Sequence, residues 1–260
     1  MSDLPPPLEA LPPPADFHSP INSVRHEATY DFYGAFSSAR LAASATSFVL
    51  AHCGIGDAAG VAGALSAFLA DAAAHARRPD REGAAAAAAA WLCVRLTTPT
   101  DAWVTPRWHR DGRMFQCACA PVSPHAKYAV ALRGPPTRLV WPSEAVDAAV
   151  RGVEACRGDG GEEEEEEEER EVYAREDRER EQLAAALEGM PLVEVRPGQV
   201  VRFTWGADDA PVHSEPDCSA EDRVFVSVMF GSEEELRDMC RIRDATYGVE
   251  SVWISPRSST

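Results

Sequence analysis

Trp108-His109-Arg110-Asp111 is the stretch of this chain whose residue types and spacing best fit chemistry. It lies between two runs that read as β-strands, and on an extended chain residues i and i+2 point to one side. His109 and Asp111 then present an imidazole and a carboxylate to the same object, two thirds of a metal site. A second histidine must come from elsewhere, and His213, in Pro211-Val212-His213-Ser214-Glu215, is the candidate. Three ligands on one face of an octahedron leave three positions open, whereas a structural zinc site has its four filled. The set suits activation of a small molecule more than stapling of a fold.

Two groups of elements must position these residues. From about Ser37 to Ala90 the chain reads as helical, with Leu41, Phe48 and Val49 at helical spacing and a stop at Gly54. Asp57 is placed to cap a second helix carrying Val61, Leu65, Phe68 and Leu69, which ends before Pro79. Residues 21–35 read as a mixed aromatic segment packed on the core. From Trp91 the pattern becomes strand-like: Leu92–Leu96, Trp103-Val104, Met114–Ala120, Lys127–Leu132 and Arg138–Trp141, separated by Gly and Pro turns. Ser143 caps a short helix to about Cys156. A last β region holds Leu192–Val195, the turn Arg196-Pro197-Gly198, Gln199–Trp205, Val212-His213 and Arg223–Phe230. Ser232-Glu233-Glu234-Glu235 reads as a capping box opening a helix to about Tyr247, with Gly248 as its stop and Val252–Ile254 as one more edge strand. The predicted class is mainly β with flanking helices, α+β, built as a sandwich or barrel.

Residues 1–20 carry two Pro-Pro-Pro runs and read as a solvated, disordered arm, leaving 21–260 as a single domain. Residues 157–182 read as an acidic insertion, disordered or a solvated helix, because a block of like charge repels itself. From Asp159 to Glu181 there are 14 acids and 4 arginines, −10 of the chain's net −17. The remaining −7 gives no electrostatic reason to expect nucleic-acid binding, although the acidic run at 162–169 could contact a basic partner. Seven unevenly spaced cysteines, no signal peptide at the N-terminus and no apolar run long enough to span a bilayer lead to an expectation of an intracellular protein, cytoplasmic or nuclear.

The order His109-x-Asp111, then Pro197-Gly198, then His213, then Arg223 with Ser227 four residues on, resembles the double-stranded β-helix (jelly-roll) core of the 2-oxoglutarate- and Fe(II)-dependent dioxygenases over about residues 91–232. The resemblance implies a helical buttress at about 37–90 and a C-terminal helix at about 232–247 around that core. It implies Fe(II) held by His109, Asp111 and His213, with 2-oxoglutarate and O2 consumed as an unidentified substrate is hydroxylated or oxidatively demethylated. Arg223 would hold the cofactor's far carboxylate, for which a planar guanidinium is suited, with Ser227, Lys127 and Tyr128 as helpers. Lys127 is also an alternative anchor, since some branches of the family use a lysine on the strand after His-x-Asp. Trp108, Arg110 and Arg113 flank the mouth as substrate contacts. Two features depart from the family pattern: Phe225 stands where many members carry serine or threonine, and the gap from His109 to His213 is long, in part through the acidic insertion.

Other readings compete. A cupin-like metalloprotein or isomerase uses the same barrel without 2-oxoglutarate, and a binding scaffold uses it without a metal. Cys117 and Cys119 suggest zinc, although alternate cysteines on a strand are commonly one packed face. His109-Arg110-Asp111 also matches the start of the kinase catalytic loop, but Gln116 stands where that loop needs asparagine.

Overall fold

Every residue of β10 (Arg223–Gly231) is buried, and this strand is the axis of the molecule. Its Val, Phe and Met side chains suit a pleated surface covered on both faces. The computed structural model describes residues 6–12, 17–78, 88–111, 125–155, 169–205, 210–248 and 250–254. The main sheet has seven strands in the order β1 (Leu8–Ala10), β8 (Val201–Trp205), β6 (His125–Arg133), β10, β5 (Ala89–Thr97), β3 (Ala28–Ala35) and β11 (Trp253–Ile254). Neighbours are antiparallel except β11, which runs parallel to β3. Two small ladders accompany it: β2 (Ile21–Val24) with β4 (Cys53–Ile55), and β7 (Arg138–Leu139) with β9 (His213–Ser214).

The two faces of the main sheet have different partners. Val224, Val226, Val228 and Phe230 join Leu92, Val94, Leu96, Tyr128, Val130 and Leu132 in one core with α1 (Ser38–His52) and α2 (Ala58–Ala76). By length and composition α2 is apolar enough to cross a membrane; here its Val61, Leu65, Phe68 and Leu69 are buried in that core. On the opposite face Phe225, Ala129, Val201 and Phe203 pack with Leu139 of β7 and with Val193. The alternation of β10 thus separates a helix-covered side from a side that meets the small β7–β9 ladder.

Several expectations are met in detail. α3 (Glu144–Ala155) begins with the Val146 amide bonded to Ser143 Oγ, and α5 (Glu233–Tyr247) opens on the full Ser232/Glu235 capping box and stops at left-handed Gly248. The mixed sheet-and-helix class also holds. Other expectations need correction. Residues 28–35 form a full strand, β3, with aromatics to both faces, so no apolar/polar alternation marks it. Leu8–Ala10, inside the expected disordered arm, pairs with β8 as an edge strand. Trp103 ends a 3-10 turn (Asp101–Trp103), and Leu192–Val195 contributes only a bridge from Leu192 to Val140. Within the expected insertion the helical alternative holds from Glu169, where α4 (Glu169–Ala186) begins; its Leu183 and Ala184, with Leu187 beyond it, pack against Val146 and Val150 of α3. Met114–Ala120, Arg113 and the run 162–168 lie outside the described residues.

The connection from β6 to β7 turns at Gly134, whose φ is +74° and where an added Cβ would stand 2.2 Å from the Asp222 carbonyl oxygen. A side chain there meets both a left-handed backbone penalty and a backbone clash. Gly134→Ala is expected to lower stability by about 2 kcal/mol, read as a shift of the urea midpoint; an unchanged midpoint would show that the turn relaxes freely.

Candidate metal centre

Backbone pairing brings the two histidines together. The His109 amide donates to the His213 carbonyl at 2.9 Å, and the His213 amide returns the bond at 3.0 Å. This antiparallel bridge sets the imidazoles side by side, with ring centroids 4.3 Å apart. Each ring is then fixed by a carbonyl two residues upstream. His109 Nδ1 lies 2.8 Å from the Arg107 oxygen and His213 Nδ1 lies 3.1 Å from the Pro211 oxygen. A carbonyl only accepts, so each Nδ1 carries a proton, and in the neutral ring Nε2 is the nitrogen left to bind a metal.

Both Nε2 atoms face Asp111. Its Oδ1 is 3.7 Å from His109 Nε2 and its Oδ2 is 3.5 Å from His213 Nε2. One ligand atom from each of the three residues falls within 4.8 Å of the others. Ligand atoms at right angles around a common ion, each about 2.1 Å from it, stand about 3 Å apart, so a coordinating face needs the three groups to draw in by about half an ångström or more. The donor set, two neutral imidazoles and one carboxylate, fits a divalent transition metal.

The charge states agree with that use. Burial, then the neighbouring His213, pulls His109 down to about 4, so its ring is neutral near pH 7. Burial alone would raise the Asp111 carboxyl, but the Lys127 ammonium beside it holds it well below the usual carboxylate range. Lys127, on β6, donates to Asp111 Oδ2 at 2.7 Å, with its ammonium 5.7 Å from the Phe203 ring centroid. Phe203 in turn packs against His213, centroids 4.9 Å apart, and walls that ring from solvent.

The remaining expected residues are distributed as follows. Arg223 and Ser227 lie buried on the ladder-facing side of β10. Arg223 donates to the Pro135 carbonyl at 3.1 Å and to Thr137 Oγ1 at 2.9 Å, and its guanidinium stacks over Phe225 at 4.6 Å. Tyr128 points to the helix-covered face, where its hydroxyl lies 3.0 Å from His75 Nδ1, so it is not brought to the metal group. Trp108 alternates away from His109 into a cluster with Val140, Val146 and Val212, under the Arg138 guanidinium. Arg110 turns to α3 and pairs with Asp147. Arg113, Cys117 and Cys119 lie outside the described residues.

Three residues were missed from sequence. Arg107 and Glu215 sit two residues from His109 and His213, opposite each other across the same bridge, and Arg107 Nη2 binds Glu215 Oε1 at 2.6 Å. Arg95, on β5, reaches the same carboxylate from the main sheet at 3.9 Å. The i±2 rule that links His109 to Asp111 would have found the first two; Arg95 needs the pairing of the two layers. Comparison with known proteins adds no family to this geometry: no family model matches the chain, and no curated protein does.

His109→Ala and His213→Ala are each expected to weaken Fe(II) or Co(II) binding by more than the roughly 10–100-fold that follows loss of an outer-shell partner. Exposed His26→Ala serves as the control and should bind as the wild type does. Calorimetric titration decides, and equal affinity in wild type and His213→Ala would remove His213 from the site.

Proposed function

We propose that the chain is a double-stranded β-helix oxygenase that uses Fe(II) and 2-oxoglutarate to hydroxylate or oxidatively demethylate a substrate. The carrying observation is the His109/Asp111/His213 group, with both Nε2 atoms and a carboxylate gathered together. The strand arrangement supports it. In the main sheet β5, β10, β6 and β8 are consecutive neighbours, and across from them His109, β9, β7 and Val193 are joined in sequence by backbone hydrogen bonds. Two such four-membered antiparallel layers enclosing a site are what a jelly roll supplies.

Bound Fe(II) and 2-oxoglutarate together supply the oxidative chemistry, in which O2 is consumed, the 2-oxo acid loses CO2 to give succinate, and a substrate C–H bond gains oxygen. The chain's share is positional. His109, His213 and Asp111 would hold the metal, and a three-ligand set would leave room for the ligands that must react with each other. The carbonyls of Arg107 and Pro211 keep both rings in the tautomer that binds, and Lys127 holds one Asp111 oxygen in place. Cations dominate the surroundings: Lys127, Arg95, Arg107 and Arg223 against Asp111 and Glu215. That excess, inside a chain of net charge −17, suits an anionic cosubstrate and distinguishes the oxygenase from a cupin-type metalloprotein that needs none.

Under anoxic conditions, Fe(II) and saturating 2-oxoglutarate are expected to give the weak visible metal-to-ligand charge-transfer band, and admission of O2 should yield succinate. A folded, iron-loaded protein without that band would sink the oxygenase reading and leave a non-oxidative metal site.

A further inference from the structure

The geometry points to Trp141 as the anchor on which a basic polypeptide docks beside the His109/Asp111/His213 group. The inference rests on the oxygenase reading only in calling that polypeptide the substrate.

Strand register puts the tryptophan there. His109 pairs with His213 and His213 with Leu139, and the Val193 amide bonds the Leu139 carbonyl, so these four share one face of the ladder. Two residues along each strand, the next row on that face is Asp111, Pro211, Trp141 and Pro191. The Trp141 amide bonds the Pro191 carbonyl at 3.0 Å. Leu139 and Val193 are buried against the main sheet, whereas Trp141, on the same face, is 49% exposed. The metal group in the adjoining rows is also reachable, with His109 29% and Asp111 17% exposed. At about 4.8 Å per strand, Trp141 stands about 10 Å from Asp111 along its row. That is the reach of about three residues of extended chain, which suits a polypeptide held at one point and presented to the metal at another.

The charge of the partner follows from the chain rooted at this row. It leaves the ladder at Trp141, forms α3 and α4, and returns at Pro191, the residue to which Trp141 is bonded. From Pro142 to Met190 it holds 18 acidic residues and 6 arginines, −12 of the protein's −17. Exposed Glu144 and Glu188 lie three residues from the two roots. The nearest cations are engaged, Lys127 by Asp111 and Arg110 by Asp147. A partner arriving at Trp141 thus meets a negative field, which draws lysine and arginine and repels nucleic acids and acidic peptides. The indole completes the match. It is the best aromatic surface for an ammonium or guanidinium, and the methylene stems of lysine and arginine pack on it.

Fluorescein-labelled peptides that are lysine-rich, neutral or glutamate-rich, with equal apolar content, are titrated into the iron-free full chain and followed by polarisation. Wild type should bind the lysine-rich set, and more weakly as salt rises. Trp141→Ala should weaken that binding by about 30-fold, typical of truncating a central interface tryptophan, and Trp141→Phe should keep most of it. Glu144→Lys with Glu188→Lys should weaken it as well, whereas His213→Ala should bind peptide as wild type does. Binding that ignores Trp141→Ala overturns the anchor. Tighter binding of the neutral or glutamate-rich peptides, or of a single-stranded oligonucleotide, overturns the choice of partner. In the anoxic protein loaded with Fe(II) and 2-oxoglutarate, saturating lysine-rich peptide should shift the visible band, because it comes to rest beside the metal. A band untouched by bound peptide puts the docking site elsewhere and overturns the inference. Trp141-dependent binding with no band at all sinks the oxygenase and keeps the docking surface; a normal band with binding indifferent to Trp141 does the reverse.

Discussion

Two backbone hydrogen bonds between His109 and His213 fix everything at this site. They join two strand fragments so short that neither is stable alone, and they set which side chains share a face. A slip of one residue would exchange His109 for Trp108 and His213 for Val212, placing an indole where the imidazole must be. The outward cluster guards against that slip. Trp108, Val140 and Val212 are buried together against Val146, Val150 and Leu187, so the wrong register would expose a large apolar surface and bury two imidazoles in it. The helices α3 and α4 thereby act on the His109/Asp111/His213 group from the far side of the ladder.

The main sheet provides the complementary constraint. β10 divides its side chains by parity, with its even positions committed to α1 and α2, while on the other face Phe225 meets the ladder and Met229 packs with Leu236 and Met239 of α5. Lys127 on the neighbouring strand obeys the same alternation and arrives at Asp111, while adjacent Tyr128 arrives at His75. Function in this molecule is assigned by parity along strands, and a residue's neighbour in sequence says little about its neighbour in space.

That rule also explains what was legible beforehand. The ligand candidates were readable because histidine is scarce in the chain and the i, i+2 spacing of His109 and Asp111 has one simple geometric meaning. Arg223 and Ser227 were readable as residues on one strand face, and α5 was readable from its capping box, a purely local signal. Arg95 was not, because its importance comes from an inter-layer contact with Glu215 that no local pattern encodes. β3 was missed because burial on both faces erases alternation, leaving aromatics that fit any packed segment. Tyr128 was misjudged in direction: one position along a strand decides between two opposite cores.

The N-terminal strand has a consequence for solubility. β8 lies at the margin of the ladder that binds β6, and Leu8–Ala10 pairs with its open side, backed by the Thr204 amide bonding the Pro7 carbonyl and the Leu11 amide bonding the Val200 carbonyl. The prolines at positions 5–7 and 12–14 bracket this three-residue strand. Proline has no amide hydrogen to offer a further strand, so the bracket limits how far β1 can serve as a template in its turn. A segment that reads as a loose tail thus covers the open side of β8 and presents little free amide of its own.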